Sequence, residues 1–219
     1  MLFFSAEEIL FLLKMSPMKA IFTILLLLSC TLVFSQSERK LRKEIKKYHK
    51  SETKKFANAE TTILTPEDFK TFNKLEFYPP NLKYRVTANF IRTPDEKPFL
   101  MPTTTDRLPE YVKYGEAHFE LNGKQLVLAL YKNTTPYEDP EYKDYLFLPF
   151  TDLTSGDGSY GGGRFLDAYI PEGDTMVLNF NRAYNPYCAY NSKYSCPIPP
   201  EENDLLVRIE AGIKDYGHH

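Results

Sequence analysis

Residues 116–131 read EAHFELNGKQLVLALY, and this stretch decides the fold class. Ala117, Phe119 and Leu121 alternate with Glu116, His118 and Glu120, so one face is apolar and the other polar. A period of two marks a half-buried strand. Asn122-Gly123 is a strong signal for a tight hairpin turn, whose central residues need positive φ. Gln125 to Tyr131 is then the returning strand.

Working outward, the same alternation predicts a strand over Tyr84–Ile91, and further strands are expected over Tyr145–Phe150, Arg164–Ile170, Thr175–Phe180 and Leu205–Ala211. Pro171-Glu172-Gly173-Asp174 carries turn chemistry. It predicts that Arg164–Ile170 and Thr175–Phe180 are two arms of one hairpin. Turn signals recur, and neither a long helical period nor an internal repeat is present. The expectation is a mainly β fold, an antiparallel β-sandwich or partly closed β-barrel with short amino-terminal helices.

The amino-terminal third has a different character. Met18-Lys19 is a short positive region, Ala20–Leu28 is nearly all apolar, and Thr31–Phe34 extends it up to Ser35. That pattern predicts a secretory signal cleaved between Ser35 and Gln36. Residues 1–16 then precede a better start at Met18. Leu27-Leu28-Ser29-Cys30 loosely matches a lipobox, which would make Cys30 a lipid anchor. Next, Leu41, Ile45 and Tyr48 form one apolar stripe on a helix rich in Lys and Arg. Either the stripe packs on the domain with a solvated basic face, or the helix rests weakly on a membrane. Thr65-Pro66-Glu67-Asp68 is a helix start, with a capping Thr and acids in the first turn. The expected division is a signal over 1–35, a helical segment over 36–74 and a β domain over 75–219. The expected location is periplasmic or secreted, with an envelope lipoprotein as the alternative.

The net charge of −2 in 219 residues gives no pull toward nucleic acid, and 42% hydrophobic residues suffice for a real core. His118 is the only histidine inside the β region, and its alternation puts it on the polar face, so a Ser–His–acid triad lacks its imidazole.

Chemistry concentrates in the last third, in TDLTSGDGSYGGGR (151–164) and FNRAYNPYCAYNSKYSCPIPP (180–200). Asp152 and Ser155 either cap their own turn or serve a hydrolase, Asp152 acting as base on a water or on Ser155. The triple glycine before Arg164 is either a tight turn or an anion nest with Arg164 as its fork. Asn181, Tyr184, Asn185 and Tyr187 alternate amides with aromatic rings. They form either a self-packed loop or, with Tyr160, the walls of a site for a glycan or small polar ligand. Cys188 and Cys196 are expected to form a disulfide in an oxidising compartment, worth on the order of 2–3 kcal/mol for so short a loop. Free or redox-active thiols and a metal site are the alternatives. Two cysteines without a nearby histidine are too few ligands for zinc, so no metal and no cofactor are expected.

Three segments, FTDLTSG…SYGGGRFLDAY, LNFNRAYNPYCAYN and CPIPPEENDLLVRIEAGIKDY, resemble a bacterial exported family of unknown function over about 76–216. Its pattern runs F-x-D-x-T-S-G-x-x-T-Y-x-x-G-R-Y, then D-F-N-x-A-Y-N-P-x-C-A, then C-P-x-P-P-x-x-N-x-L. The resemblance singles out Phe150, Asp152, Thr154, Ser155, Tyr160, Gly163, Arg164, Asn181, Tyr184, Asn185, Cys188, Cys196 and Asn203. Ser159, Phe165, Asn179 and Ile213 depart from it, and Asn179 replaces an acid that a catalytic reading would want. The reading carried forward is an exported envelope protein that binds a small polar or anionic ligand or a glycan. A hydrolase and a structural or assembly protein are the alternatives.

Overall fold

The computed structural model describes residues 17–217. The chain divides into two compact units, Met1–Lys43 and Glu44–His219. Helix α1 (Pro17–Phe56) runs through both the apolar and the basic stretches. Side chains are described from residue 36 onward, so Cys30 and the side chains before Gln36 lie outside the described residues. Among the described residues no helix is long and apolar enough to cross a membrane.

The unit Glu44–His219 is built on one curled sheet. Its strands are β1 (Arg85–Arg92), β2 (Phe99–Leu100), β3 (Glu110–Leu121), β4 (Lys124–Asn133), β5 (Tyr145–Asp152), β6 (Arg164–Tyr169), β7 (Thr175–Asn179) and β8 (Asp204–Leu205). Along the sheet the order is β6-β5-β4-β3-β1-β7. The β3–β4 hairpin is the spine, paired from Leu121↔Lys124 to Tyr111↔Asn133 with one bulge between Lys113 and Gly115. Its turn is the one the sequence predicts, with Asn122 at φ 56° and Gly123 at φ 73°. β3 is long enough to hold two partners on its other side, β1 and then β2.

The two edge strands, β6 and β7, approach each other across the opening without a hydrogen-bonded ladder. The result is a mainly β, antiparallel, partly open barrel. The expected hairpin between β6 and β7 is therefore corrected. β6 pairs with β5 and β7 pairs with β1, so residues 170–174 span from one edge of the sheet to the other. Alternation marks both as strands, but it carries no information on which neighbour each one joins.

The concave face of the sheet is lined by Ala117, Phe119, Leu128, Leu130, Leu146, Leu148, Phe150, Leu166, Leu178 and Phe180. A second cluster covers the opposite face, where Tyr111, Tyr131, Phe147 and Phe165 pack against Met101 and Cys196. This double burial explains why Tyr145–Phe150 shows no alternation. A third cluster joins the helical segment to the barrel through Leu64, Leu75, Tyr190 and Ile213, with Phe56 and Phe72 beside them. Short helix α2 (Pro66–Thr71) starts as predicted, with Thr65 Oγ1 accepting from the Asp68 N–H at 3.1 Å. His49 ties α1 to the barrel. Its ring stacks on Phe77 at 4.0 Å, and Nε2 hydrogen-bonds the Asn181 carbonyl at 2.8 Å. Burial pulls the His49 pKa below its ordinary value.

The expected strand Leu205–Ala211 is also corrected. Only Asp204–Leu205 pairs, in parallel with Thr151–Asp152 of β5. Val207, Ile209 and Ala211 are buried and their neighbours Leu206, Arg208 and Glu210 exposed, so the strand-like alternation is real. What is missing is a strand alongside. The segment ends at Gly212, held at φ +75°, where an added Cβ would lie 2.6 Å from the Phe180 carbonyl and 2.8 Å from that of Ala183. Gly212→Ala is expected to cost more than about 1 kcal/mol in urea unfolding. Gly173→Ala, with open space around it, is expected to be neutral.

Candidate functional site

Arg164 opens β6 and is completely buried. Nothing in a β-sheet interior solvates a guanidinium, so every donor needs a partner. One nitrogen, Nη2, donates to Asp152 Oδ1 at 2.9 Å, to the Ile209 carbonyl at 2.9 Å and to Thr154 Oγ1 at 3.2 Å. The other, Nη1, donates to the carbonyls of Ala211 and Ile213. Nε has no hydrogen-bond partner, and the guanidinium carbon lies 5.4 Å from the Phe150 ring centre. Burial pulls the Arg164 pKa down, and the neighbouring Asp152 charge opposes that pull.

Asp152 completes the clamp. Its Oδ2 accepts the Ile209 N–H at 2.7 Å, and both oxygens accept from Thr154 Oγ1. Thr154 in turn shares a 2.8 Å hydrogen bond with buried Ser159. Together Asp152 and Arg164 supply residues 209–213 with the donors and acceptors that a neighbouring strand would supply. This is why that segment is extended without belonging to a ladder.

Two buried asparagines use the same device. Asn181 Oδ1 accepts the Asn81 N–H and Nδ2 donates to the Asn81 carbonyl, both at 2.8 Å. Asn203 Oδ1 accepts the Ala129 N–H at 2.7 Å, and Nδ2 donates to the carbonyls of Ala129 and Pro149. A side-chain amide has the same donor and acceptor as a peptide group, so each extends a ladder where no strand is present. Asn185 is buried as well, with Nδ2 on the Lys214 carbonyl at 3.0 Å and Oδ1 without a partner.

The remaining candidates fall into two places. Ser155 Oγ accepts the Asp152 N–H at 3.2 Å, a turn-capping contact. No hydrogen bond joins it to the Asp152 carboxylate among the described residues, so the two do not form a nucleophile–base pair here. His118 is bound to Glu116 on the sheet surface. Cys188 and Cys196 correct the expected disulfide, because both are free thiols. The Cys196 sulfur faces the backbone of its partner and accepts the Cys188 N–H at 3.1 Å. Tyr160 reaches the Cys188 sulfur with its hydroxyl.

Tyr184 points the other way, and it leads to a residue the sequence reading missed. Its backbone pairs with Phe165 in both directions, at 2.8 and 3.0 Å, so the two motif segments do meet. Its hydroxyl donates to Asp167 Oδ1 at 2.7 Å, and Tyr145 donates to the same oxygen at 2.9 Å. Oδ2 takes no hydrogen bond from the described residues. Cross-strand register explains the cluster, since Tyr145 faces Tyr169 and Phe147 faces Asp167 on the outer side of β5 and β6. Tyr137 and Tyr142 stand edge-on to Tyr145 at 5.7 and 5.8 Å, and Tyr169 does so at 5.9 Å. Tyr137, Tyr142, Tyr169 and Tyr187 are between 40% and 50% exposed. Burial, reinforced by the Asp167 charge, pushes the Tyr145 and Tyr184 hydroxyls up, so both remain protonated donors.

A shallow hollow of about 200 Å³ lies against Phe72, Lys74, Glu76 and Tyr216.

The family model described as "Protein of unknown function (DUF1684)" matches residues 70–214. The solution NMR structure of an uncharacterized protein of Haloarcula marismortui is similar, with a TM-score of 0.64 and 28% identity. The match covers 84% of this chain and 99% of that one. No curated protein matches.

The clamp has a testable energetic signature. Removing one member of a buried ion pair leaves the other uncompensated, at about 3–5 kcal/mol. Arg164→Met and Asp152→Asn are each expected to cost that much in denaturant unfolding. The double variant is expected to lose clearly less than their sum, because it strands no charge. Additive losses would show that the pair is not coupled.

Proposed function

The chain belongs to the DUF1684 family, and on that footing we propose that it is a glycan-binding protein of the cell envelope whose binding face is the tyrosine surface around Asp167. The observation that carries this reading is the Asp167 carboxylate. It is exposed, yet one oxygen is fixed by two tyrosine hydroxyls while the other is left to accept. A carboxylate held in place beside exposed rings suits a sugar, because aromatic faces pack on C–H surfaces and the carboxylate takes hydroxyl or amino protons. Tyr184 and Tyr187 are the members of the sequence-derived set that serve it, Tyr187 standing close enough to feel the Asp167 charge. Asp152, Arg164, Asn181 and Asn185 frame the barrel beneath it. With Arg164 sealed inside, an anionic ligand loses the cation that it was expected to pair with, and Asp167 and Glu141 repel it at this face, offset only in part by Arg182. Neutral or amino-bearing glycans are therefore the class favoured.

The test is binding of the full chain to immobilised neutral and amino-bearing oligosaccharides. Tyr142→Ala and Tyr169→Ala are each expected to weaken binding about two- to tenfold with unchanged melting, in line with the ~0.5–1.5 kcal/mol carried by an aromatic contact. Asp167→Ala is expected to abolish it. Binding that is indifferent to all three substitutions would exclude this face.

Export through the amino-terminal signal is part of the same proposal, supported by the apolar run and the small residue at Ser35. Protein recovered from the envelope fraction is expected to have the intact mass of a chain starting at Gln36. A heavier species that retains earlier residues, or a diacylated Cys30, would favour an anchored form instead.

A further inference from the structure

Cys188 and Cys196 differ in how they are held. Cys196 is buried against Met101 and Phe165. Thr104 clamps its backbone from both sides, accepting the Cys196 N–H at 3.1 Å and donating to its carbonyl at 2.9 Å. Cys188 is half-buried and lies on the short turn Tyr187–Ala189. The two thiols hydrogen-bond each other, and the hydroxyls of Thr104 and Tyr160 also reach the Cys188 sulfur. Donors converging on one sulfur favour its thiolate. The Cys196 thiol contributes most, and against the pull of burial these donors bring Cys188 down to about 6. The same contact pushes the Cys196 thiol up. The arrangement is asymmetric, with the thiolate favoured at half-buried Cys188 and the thiol at buried Cys196.

We propose that Cys188 and Cys196 form a thiol–disulfide exchange site for a low-molecular-weight disulfide, with Cys188 as the entering nucleophile and Cys196 as the resolving thiol. The Cys188 thiolate attacks one sulfur of the small disulfide. A Cys188–S–S–R bond forms, the S–S bond of the substrate breaks, and RS⁻ leaves with the electron pair and takes a proton from solvent. Cys196 then loses its proton to solvent and attacks the Cys188 sulfur. The Cys188–Cys196 bond forms and a second RS⁻ departs and is protonated. In sum two protein thiols are oxidised, and one disulfide is reduced to two thiols. Cys188 is the less buried of the pair, the side from which a small substrate would enter, and the Cys196 thiol is already in hydrogen-bond contact for the second step. The inference does not rest on Asp167, Tyr142 or Tyr169, whose substitution tests the glycan reading.

The experiment exposes reduced full-length protein to oxidised glutathione near neutral pH and follows intact mass. Wild type is expected to lose two hydrogens and retain no glutathione. Cys196→Ser is expected to trap one glutathione on Cys188, since the resolving thiol is gone. Cys188→Ser is expected to react at least about tenfold more slowly. Should Cys196→Ser unfold, Cys196→Ala must give the same trapped adduct in folded protein. A Cys196 variant that stays unmodified overturns the proposal, as does a Cys188→Ser protein that takes up glutathione as fast as wild type. A wild-type disulfide that excess dithiothreitol cannot reduce in the folded state also overturns it, because the bond would then be a static staple.

Discussion

The barrel depends on the pairing of Arg164 with Asp152 inside a space that water does not enter. An isolated guanidinium or carboxylate there would be prohibitive, and even a paired one needs its remaining hydrogen bonds met. The chain meets them by bringing residues 209–213 across the end of the sheet, where their carbonyls and one N–H face the pair. The charge pair thus fixes the path of the carboxy-terminal segment, and that segment closes one wall of the core through Val207, Ile209 and Ala211. Asn181 and Asn203 repeat the logic without charge, each one replacing a peptide group at a gap between segments. The dense polar motifs of the last third are, in this sense, backbone by other means.

That explains where reading the sequence succeeded and where it stopped. The β3–β4 hairpin was legible because both its alternation and its Asn-Gly turn are local. So was the start of α2, set by Thr65 and Pro66. The partners of β6 and β7 were not legible, because a strand's alternation records which face is buried and not which edge is taken. The carboxy-terminal segment showed true alternation, yet its hydrogen-bonding neighbours were the Asp152 and Arg164 side chains and scattered backbone groups of Leu153, Tyr78 and Ala183, which no periodicity reveals. At the site, the motif residues stood out by type, but the hairpin expected to bring them together does not form, and the two segments meet instead through the Phe165–Tyr184 bridge. Their burial did not, since an Arg and an Asp read as exposed by default. Asp167 was missed for the opposite reason. It looks like an ordinary outward residue of an amphipathic strand, and its special status comes from Tyr145 on β5 and Tyr184 beyond β7. Tyrosines at 137, 142, 145 and 169 were the available signal, a ring-rich patch in a segment otherwise suited to solvent.

The two faces of the sheet divide the labour. The concave side is packed with aliphatic groups and the rings of Phe119, Phe150 and Phe180. The convex side is covered only in part, by the segments around Met101 and Tyr184, and the rings at the margin of that cover stay wet. A rigid strand pair beneath them removes much of the ordering cost that a flexible loop would incur on binding. The thiol pair sits under the same cover, pinned through Thr104.

The carboxy-terminal clamp also sets the order in which the molecule can be completed. Until residues 209–213 are docked, the Arg164–Asp152 pair has only part of its coordination. A nascent chain lacking them can form the local β3–β4 hairpin but cannot seal the interior without stranding polar groups there. Closure of the interior therefore waits on the docking of residues 209–213, however early the rest of the sheet has formed.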